Sequence, residues 1–395
     1  MAKAKTKAAS RELTTEIAHI REQAAMFGGV LPNPDKVLMA RGSGKGLEIY
    51  EELETDAHVR AVISKRKRAV TSREWVVNPG DDTSRGKEAA GLVRRHLAAI
   101  GLDRITVGLL DGIMKGYAVG EVVWVFENGE TRPADVKLRA PQRFVFVVNE
   151  DGVTEMRLLT LHNPLTGIAL PEKKFILFAP EGHSENPYGF ALGSSLFWPV
   201  FFKRKGIAFW LVFCDKYGSP TSIGTYPASA TKGEKAALRA ALQAIANDSG
   251  VIVPQGMEIK LLEAARSGID NYEALVRYMD GQISALVLGE TGTTNQSAEG
   301  GGRARDAVGN EVRLETAKSD ADALCSCLNN TLVKWIIELN MPGAPLPKVW
   351  RDFEVKEDQL EKADRDTKLN HLGVKLKKSY FMREYNLQED DFELV

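Results

Sequence analysis

The chain has only three cysteines in 395 residues: Cys214, Cys325 and Cys327. An odd, sparse set gives no disulfide framework and points to a reducing compartment. Cys325 and Cys327 are two positions apart, so a helix sends them in different directions, and no CxxC knuckle exists for zinc or thiol redox chemistry. Packing is their expected role. Histidine is scarce too. The six histidines are scattered, with no HExxH and no Cys/His cluster. No metal and no cofactor are therefore expected. A GxSxG elbow is absent, and the paired carboxylates Glu51-Glu52 and Asp390-Asp391 sit in charged surroundings that suit solvated faces. No run reaches the length of about 18 uncharged apolar residues that a membrane span needs. The longest apolar stretch, 196–214, is broken by Lys203, Arg204 and Lys205. Residues 1–11 are rich in Lys and Ala but lack the apolar segment of a secretory signal, so a cytosolic origin is expected. Finally, there is no charge excess: 52 Lys+Arg stand against 53 Asp+Glu. That excludes a protein that coats nucleic acid by bulk charge, while leaving room for a locally basic surface.

What is present is an ordinary globular composition, 44% hydrophobic and 27% charged. At roughly 150 residues per domain the length suggests two to three units. Residues 1–44 read as an arm, with a short amphipathic helix at 14–26 and helix-stopping prolines at Pro32 and Pro34. A helix is expected over 47–70, with Asp56 able to cap an inner start. A strand follows at 74–77, then helices at 84–100 and 105–115. Strands at 120–126, 143–148, 156–161 and 175–179 are rich in β-branched and aromatic residues. Asn128-Gly129, Asp151-Gly152 and Asn163-Pro164 give the turns between them. This half is α+β.

After Pro187-Tyr188-Gly189 the pattern changes. Residues 192–217 read as one long helix with aromatics at Phe197, Trp198, Phe201, Phe202, Phe209, Trp210, Phe213 and Tyr217, which surround it instead of forming one stripe. Such a helix is buried among neighbours, other subunits included. A compact insertion has a strand at 221–226, a helix at 230–246 and a hairpin of 251–254 with 257–263. A second long helix covers 270–288. Residues 289–310 are polar and Gly-rich, with almost nothing to bury; such a loop is either functional or a linker. A third long helix runs over 311–340, marked by Leu314, Ala317, Ala321, Leu324, Leu328, Leu332, Trp335 and Leu339. Pro342, Pro345 and Pro347 end it. The charged remainder holds helices at 357–372 and 378–385.

Two motifs compete for a chemical reading. Gly42-Ser43-Gly44-Lys45-Gly46 approaches a phosphate-binding loop, but Met39 stands where the first glycine belongs and Gly46 where the Mg²⁺-binding hydroxyl belongs. A nucleotide-binding enzyme using Gly44-Lys45 is the alternative this leaves, and a turn before the first helix is the favoured reading. The run Lys65-Arg66-Lys67-Arg68 could anchor phosphates. On a helix such a run is spread over several sides, which favours a solvated or subunit-facing surface.

The order of these features resembles the bacteriophage portal proteins of the Mu-like phage and prophage group. The residues that carry the resemblance are Asp56-Ala57-His58-Val59, Ser72-Arg73-Glu74-Trp75, Gly120-Glu121-Val122-Val123-Trp124 and Pro141-Gln142-Arg143-Phe144. The strongest are Asn186-Pro187-Tyr188-Gly189, then Phe209-Trp210 with Asp215-Lys216-Tyr217-Gly218-Ser219-Pro220, and Ile283 to Thr294. The resemblance spans about residues 45–390. It implies an α+β portal fold: an α/β wing at 45–190, stem helices at 191–217 and 270–288, and a small α/β clip at 218–269 between them. A tunnel loop at 289–310, a long wing helix at 311–340 and a C-terminal wing or reduced crown at 341–395 complete it.

The resemblance also implies a non-enzymatic role, with no catalytic residue. The chain would form a homo-oligomeric ring, a dodecamer, at one capsid vertex of the virion, made in the bacterial host cytoplasm. That ring would be the channel for packaging and ejecting double-stranded DNA without sequence preference. Its other partners would be the terminase large subunit, the major capsid protein and the neck or head-completion proteins. Thr291, Thr293, Thr294, Asn295, Gln296, Arg303 and Arg305 would face the DNA. Phe202, Phe209, Trp210, Phe213 and Tyr278 would pack subunits in the stem, and Lys232, Lys235 and Arg239 would meet the clip's partners. Another minor head or neck structural protein is the second alternative.

Overall fold

A computed structural model of the chain describes residues 29–42, 44–149, 153–182, 186–217, 221–245, 258–262, 267–290, 303–354 and 359–385. The chain divides into two units, 1–351 and 352–395. The expected helix at 14–26 and the strand at 251–254 lie outside the described residues.

The first unit begins as a docked segment and not as a free arm. Gly29 to Leu31 add to the edge of a strand, β4 (Phe144–Val148): the Leu31 amide donates to the Phe146 carbonyl at 2.9 Å, and the Val148 amide to the Gly29 carbonyl at 2.8 Å. Leu31 is buried in the main core. Asp35 then caps helix α1 (Lys36–Arg41), accepting from the Val37 and Leu38 amides. It also takes the Tyr50 hydroxyl, from helix α2 (Glu48–Leu53).

The expected helix over 47–70 is two helices. α2 ends at Leu53, and Asp56 caps a new one, α3 (Ala57–Thr71), through the His58 and Val59 amides. β1 (Trp75–Asn78), α4 (Ser84–Ile100), α5 (Leu102–Leu109) and α6 (Asp111–Lys115) follow. β2 (Ala118–Glu127) and β3 (Glu130–Arg139) form a hairpin. Its turn, Asn128-Gly129, has φ of 54° and 79°, which matches the twist of the flanking strands. β3 was not expected. It carries Pro133, a residue that argues against a strand interior. Pro133 is tolerated because it pairs with Trp124 where a bulge shifts the register.

Three small sheets complete the wing: β3-β2-β7, with β7 at Phe175–Phe178; β4-β5-β6, with β5 at Thr154–Leu158 and β6 at Ile168–Ala169; and β1 with β10 (Lys348–Arg351). β10 was also unexpected. It places 348–351 in the first unit, so the expected break at 341 falls after Arg351.

The stem consists of α7 (Leu192–Tyr217) and α9 (Ser267–Leu288). Between them lie β8 (Thr221–Thr225), α8 (Lys232–Ile245) and β9 (Glu258–Leu262). β9 pairs with β8, not in the expected local hairpin. α8 opens with a reciprocal cap: the Thr231 amide donates to Glu234 at 2.8 Å, and the Glu234 amide to the Thr231 hydroxyl at 3.3 Å.

The long helix starts at Arg303, earlier than expected. It runs as α10 (Arg303–Leu328), a π-helical turn (Asn329–Val333) and α11 (Lys334–Asn340). The π turn inserts one residue into the helical period. Upstream, Ala317, Ala321, Leu324, Leu328 and Leu332 are buried as expected. Downstream the buried face moves to Val333, Ile336 and Ile337, and Leu339 is exposed. Two asparagines on this helix grip strands by both backbone polarities. Asn329 takes the Val349 amide at 2.8 Å and donates to its carbonyl at 2.9 Å. Asn340 does the same to Thr131 of β3, at 2.7 and 2.8 Å.

The second unit holds α12 (Gln359–His371) and α13 (Lys378–Tyr385), near their expected spans. Buried Asp366 accepts from the Tyr380 and Tyr385 hydroxyls at 3.1 and 2.8 Å.

Candidate functional site: the stem and its platform

The stem is rooted by the Asn186-Pro187-Tyr188-Gly189 turn. The Tyr188 ring packs edge-on against Tyr117 and Phe146, at 5.6 and 4.7 Å between centroids. Gly189 has φ of +68°, and a Cβ there would lie 2.3 Å from the Gly116 carbonyl, so two backbones cross where no side chain fits. Asn186 donates to the Pro32 carbonyl at 3.1 Å, and Ser194 in the first turn of α7 donates to Asp35 at 3.1 Å. The motif thus locks the start of the stem to the wing and to the docked N-terminal segment.

α7 and α9 run antiparallel, because Lys203, Gly206 and Phe213 meet Asp280, Leu275 and Tyr272 in turn. α3 lies beneath them as a platform, joined by charge and hydrogen bonds. Lys203, its side chain 8% exposed, sits 2.9 Å from Asp56 and 2.7 Å from Asp280. Burial pushes the Asp56 carboxyl up, but the Lys203 contact and the Val59 and His58 amides outweigh it, and its pKa is lowered. His58 Nε2 lies 2.7 Å from the Ser284 hydroxyl. This spacing resembles a base and its nucleophile, but Ser284 is fully buried, so the contact is a structural tie.

The basic run is neither a phosphate anchor nor a solvated face. Arg66 makes a two-point contact with Asp320 of α10, at 2.7 and 2.8 Å. Lys67 pairs with Asp111. Burial lowers the Lys65 pKa, and the charge of Glu290 opposes that shift. The Gly44-Lys45 turn also departs from a nucleotide site. It follows a helix instead of a strand, and Lys45 pairs with Glu52.

The residues expected to pack subunits separate into two sets. Phe209 and Tyr278 are each 61% exposed, and Phe202 is exposed as well. Trp198, Phe201, Leu211 and Val212 extend this apolar surface along α7. Trp210 and Phe213 are half-buried, and Phe213 packs inside the chain against Tyr272, ring centroids 5.7 Å apart. Lys232, Lys235 and Arg239 are exposed on α8, with Lys235 lying 4.5 Å over the Tyr226 ring. Leu238, on the opposite face of α8, is buried against β8 at Gly224. Thr291, Thr293, Thr294, Asn295 and Gln296 lie outside the described residues. Arg303 and Arg305 belong to the first turn of α10 and not to a loop. Among the described residues no group of acidic, His or Cys side chains could hold a metal ion, and no helix is long and apolar enough to cross a membrane.

The platform contacts were missed in the sequence, although a signal existed. Lys203 and Asp280 each interrupt an apolar helix, and opposite charges so placed on two neighbouring helices are candidates to pair.

Comparison with known proteins places this architecture. Two solved structures share the fold at low identity. One comes from the virion of a native gene transfer agent particle, with TM-score 0.56, 12% identity, and 94% of this chain and 99% of the other covered. Another comes from the neck of an empty particle computed with C6 symmetry, with TM-score 0.58, 13% identity, and 93% and 98% covered. A third comes from the neck of a native particle computed with C12 symmetry, at TM-score 0.55 and 14% identity, with 93% and 98% covered. In sequence, the portal protein of Escherichia phage Mu is 29% identical over 329 residues, covering 81% of this chain and 63% of that protein. The Mu-like prophage FluMu protein gp29 of Haemophilus influenzae is 26% identical over 342 residues, covering 84% and 65%. The chain therefore spans just under two thirds of the length of these relatives. The family described as the portal protein of Mu bacteriophage matches residues 47–387, from the α2 helix through the second unit, and the chain belongs to that family.

Proposed function

We propose that the chain is the subunit of a closed ring at one capsid vertex of a phage particle, a channel through which double-stranded DNA is packaged and later ejected. The observation that carries this reading is the apolar surface of α7. Phe202, Phe209, Leu211 and Val212 are exposed on a helix whose base is rigidly held. A contiguous apolar patch of this kind needs a partner. Burying one such side chain fully is worth about 1.5–3 kcal/mol. A neighbouring copy related by rotation covers every patch only if the ring closes. Family membership and the fold shared with chains of gene transfer agent necks, one computed with C12 symmetry, support a ring of twelve.

The near-neutral charge of the chain suits such a channel, since each tight phosphate contact would slow transport. DNA would meet segment 291–302, with Arg303 and Arg305 at its far root. The exposed cations Lys232, Lys235 and Arg239 mark the end of the stem that would receive the terminase large subunit and then neck proteins, while the wing would meet the major capsid protein. The role is structural, and the energy for translocation would come from the terminase. Light scattering on Phe209→Asp tests the interface. The wild type should assemble, and the variant should remain monomeric because it places an unpaired charge in an apolar contact. Rings of normal mass from the variant would contradict the reading.

A further inference from the structure

Arg66 stands where three elements meet. Its Nε and Nη2 donate to the two carboxylate oxygens of Asp320 on α10, at 2.7 and 2.8 Å. Its Nη1 donates to the Val287 carbonyl at 2.9 Å. That carbonyl lies in the last turn of α9, where the helix supplies no internal partner. Just beyond, Gly289 turns the chain with φ of +74°, and a Cβ there would lie 3.1 Å from Val312 of α10. Glu290 is buried and faces Lys65, the neighbour of Arg66. Residues 287–290 are therefore held between α3 and α10, and one guanidinium ties both sides. These are the two roots of segment 291–302.

The pair is largely dry, with side-chain exposure of 12% for Arg66 and 7% for Asp320. Such a pair contributes little net stability over an apolar substitute, so geometry is its better-supported use. Its planar, two-point form fixes direction as well as distance. A cavity of about 280 Å³ borders it, lined also by Leu286, Thr316 and Ser319, so packing alone does not immobilise the roots there.

We infer that Arg66 is a positioning residue for segment 291–302: by holding the end of α9 to α10 it sets the spacing and direction of the segment's roots, and so how far it reaches toward DNA. The last clause rests on the ring and channel reading above.

The test uses purified full-length rings and two readouts. Limited proteolysis within 289–302 reads the roots directly. Arg66→Ala should form rings and raise the cleavage rate about tenfold, as expected for losing a hydrogen bond to a charged group. Arg66→Lys and Asp320→Asn, which keep size, should show smaller increases and cover the case in which Arg66→Ala fails to assemble. Unchanged cleavage in all assembled variants overturns the inference. Packaged or retained DNA is the second readout. Deleting 292–302 should leave rings intact and reduce packaged DNA, and Arg66→Ala should add no further loss in that background. An additive loss would place the action of Arg66 elsewhere and overturn the inference. Normal packaging by the deletion would instead remove the DNA-facing reading of the segment, with the cleavage result still deciding the role of Arg66.

Discussion

Lys203 shows how much depends on single buried charges. It is almost covered by α7, α9 and the cap of α3, and its ammonium faces Asp56 and Asp280. Removing one partner from such a cluster leaves uncompensated charge in a poorly solvated place, at a cost of about 3–5 kcal/mol. Lys203→Ala should lower stability by that amount, measured by urea denaturation, whereas the exposed Lys232→Ala should change it little. Acid should act on the same cluster. The pKa of Asp56 is lowered in the folded chain, below the value of about 3.9 for a free aspartate. Its ionised form therefore stabilises the fold above that value, and the contribution is lost as pH falls from about 4 through the lowered pKa. Asp56→Asn should flatten the acid side of a melting-temperature profile. An unchanged slope would show that other carboxylates govern acid unfolding. At this scale the sequence displayed the charges but not their partners. Arg66 and Asp320 are separated by most of the chain, and no local pattern joins them.

Elements were legible where one physical signal dominated and missed where two conflicted. The long helix of 303–340 was found by its apolar period, yet its start was placed late, because the polar turns before Glu311 offer little to bury. Its downstream face was also misjudged. A π turn adds a residue without altering composition, so Trp335 and Leu339 continued the period on paper while Ile336 and Ile337 took the core. β3 was hidden by Pro133 and by alternating charge, and it exists because the Asn128-Gly129 turn and the bulge at Trp124 accommodate it. The asparagine grips supply a further test. Asn340→Ala should strand the Thr131 amide and carbonyl and destabilise the wing by about 1–3 kcal/mol. Hydrogen exchange should rise in 130–139 before it rises in the stem. Uniform loosening of both regions would mean that Asn340 does not act locally on β3.

For the whole molecule, the sequence carried the order of wing, stem, clip, loop and long helix. That order is what the family match and the shared fold bear out. Order is legible because each segment changes composition at its boundaries. The joints between segments are not, since they rest on contacts such as Asp56–Lys203–Asp280 and Gly116 against Gly189. These joints explain how a helix can keep an apolar surface outward without collapsing onto its own wing. Held at its base by α3 and the N-terminal segment, α7 presents Phe202, Phe209 and Tyr278's neighbouring face on α9 to another molecule. An apolar contact between unlike faces either closes into a ring or grows without limit. The central claim is closure, and images of the purified wild-type protein viewed down the particle axis test it most directly. The account predicts rings of one subunit number with an open centre. Monomers at every concentration, or open filaments, would contradict it.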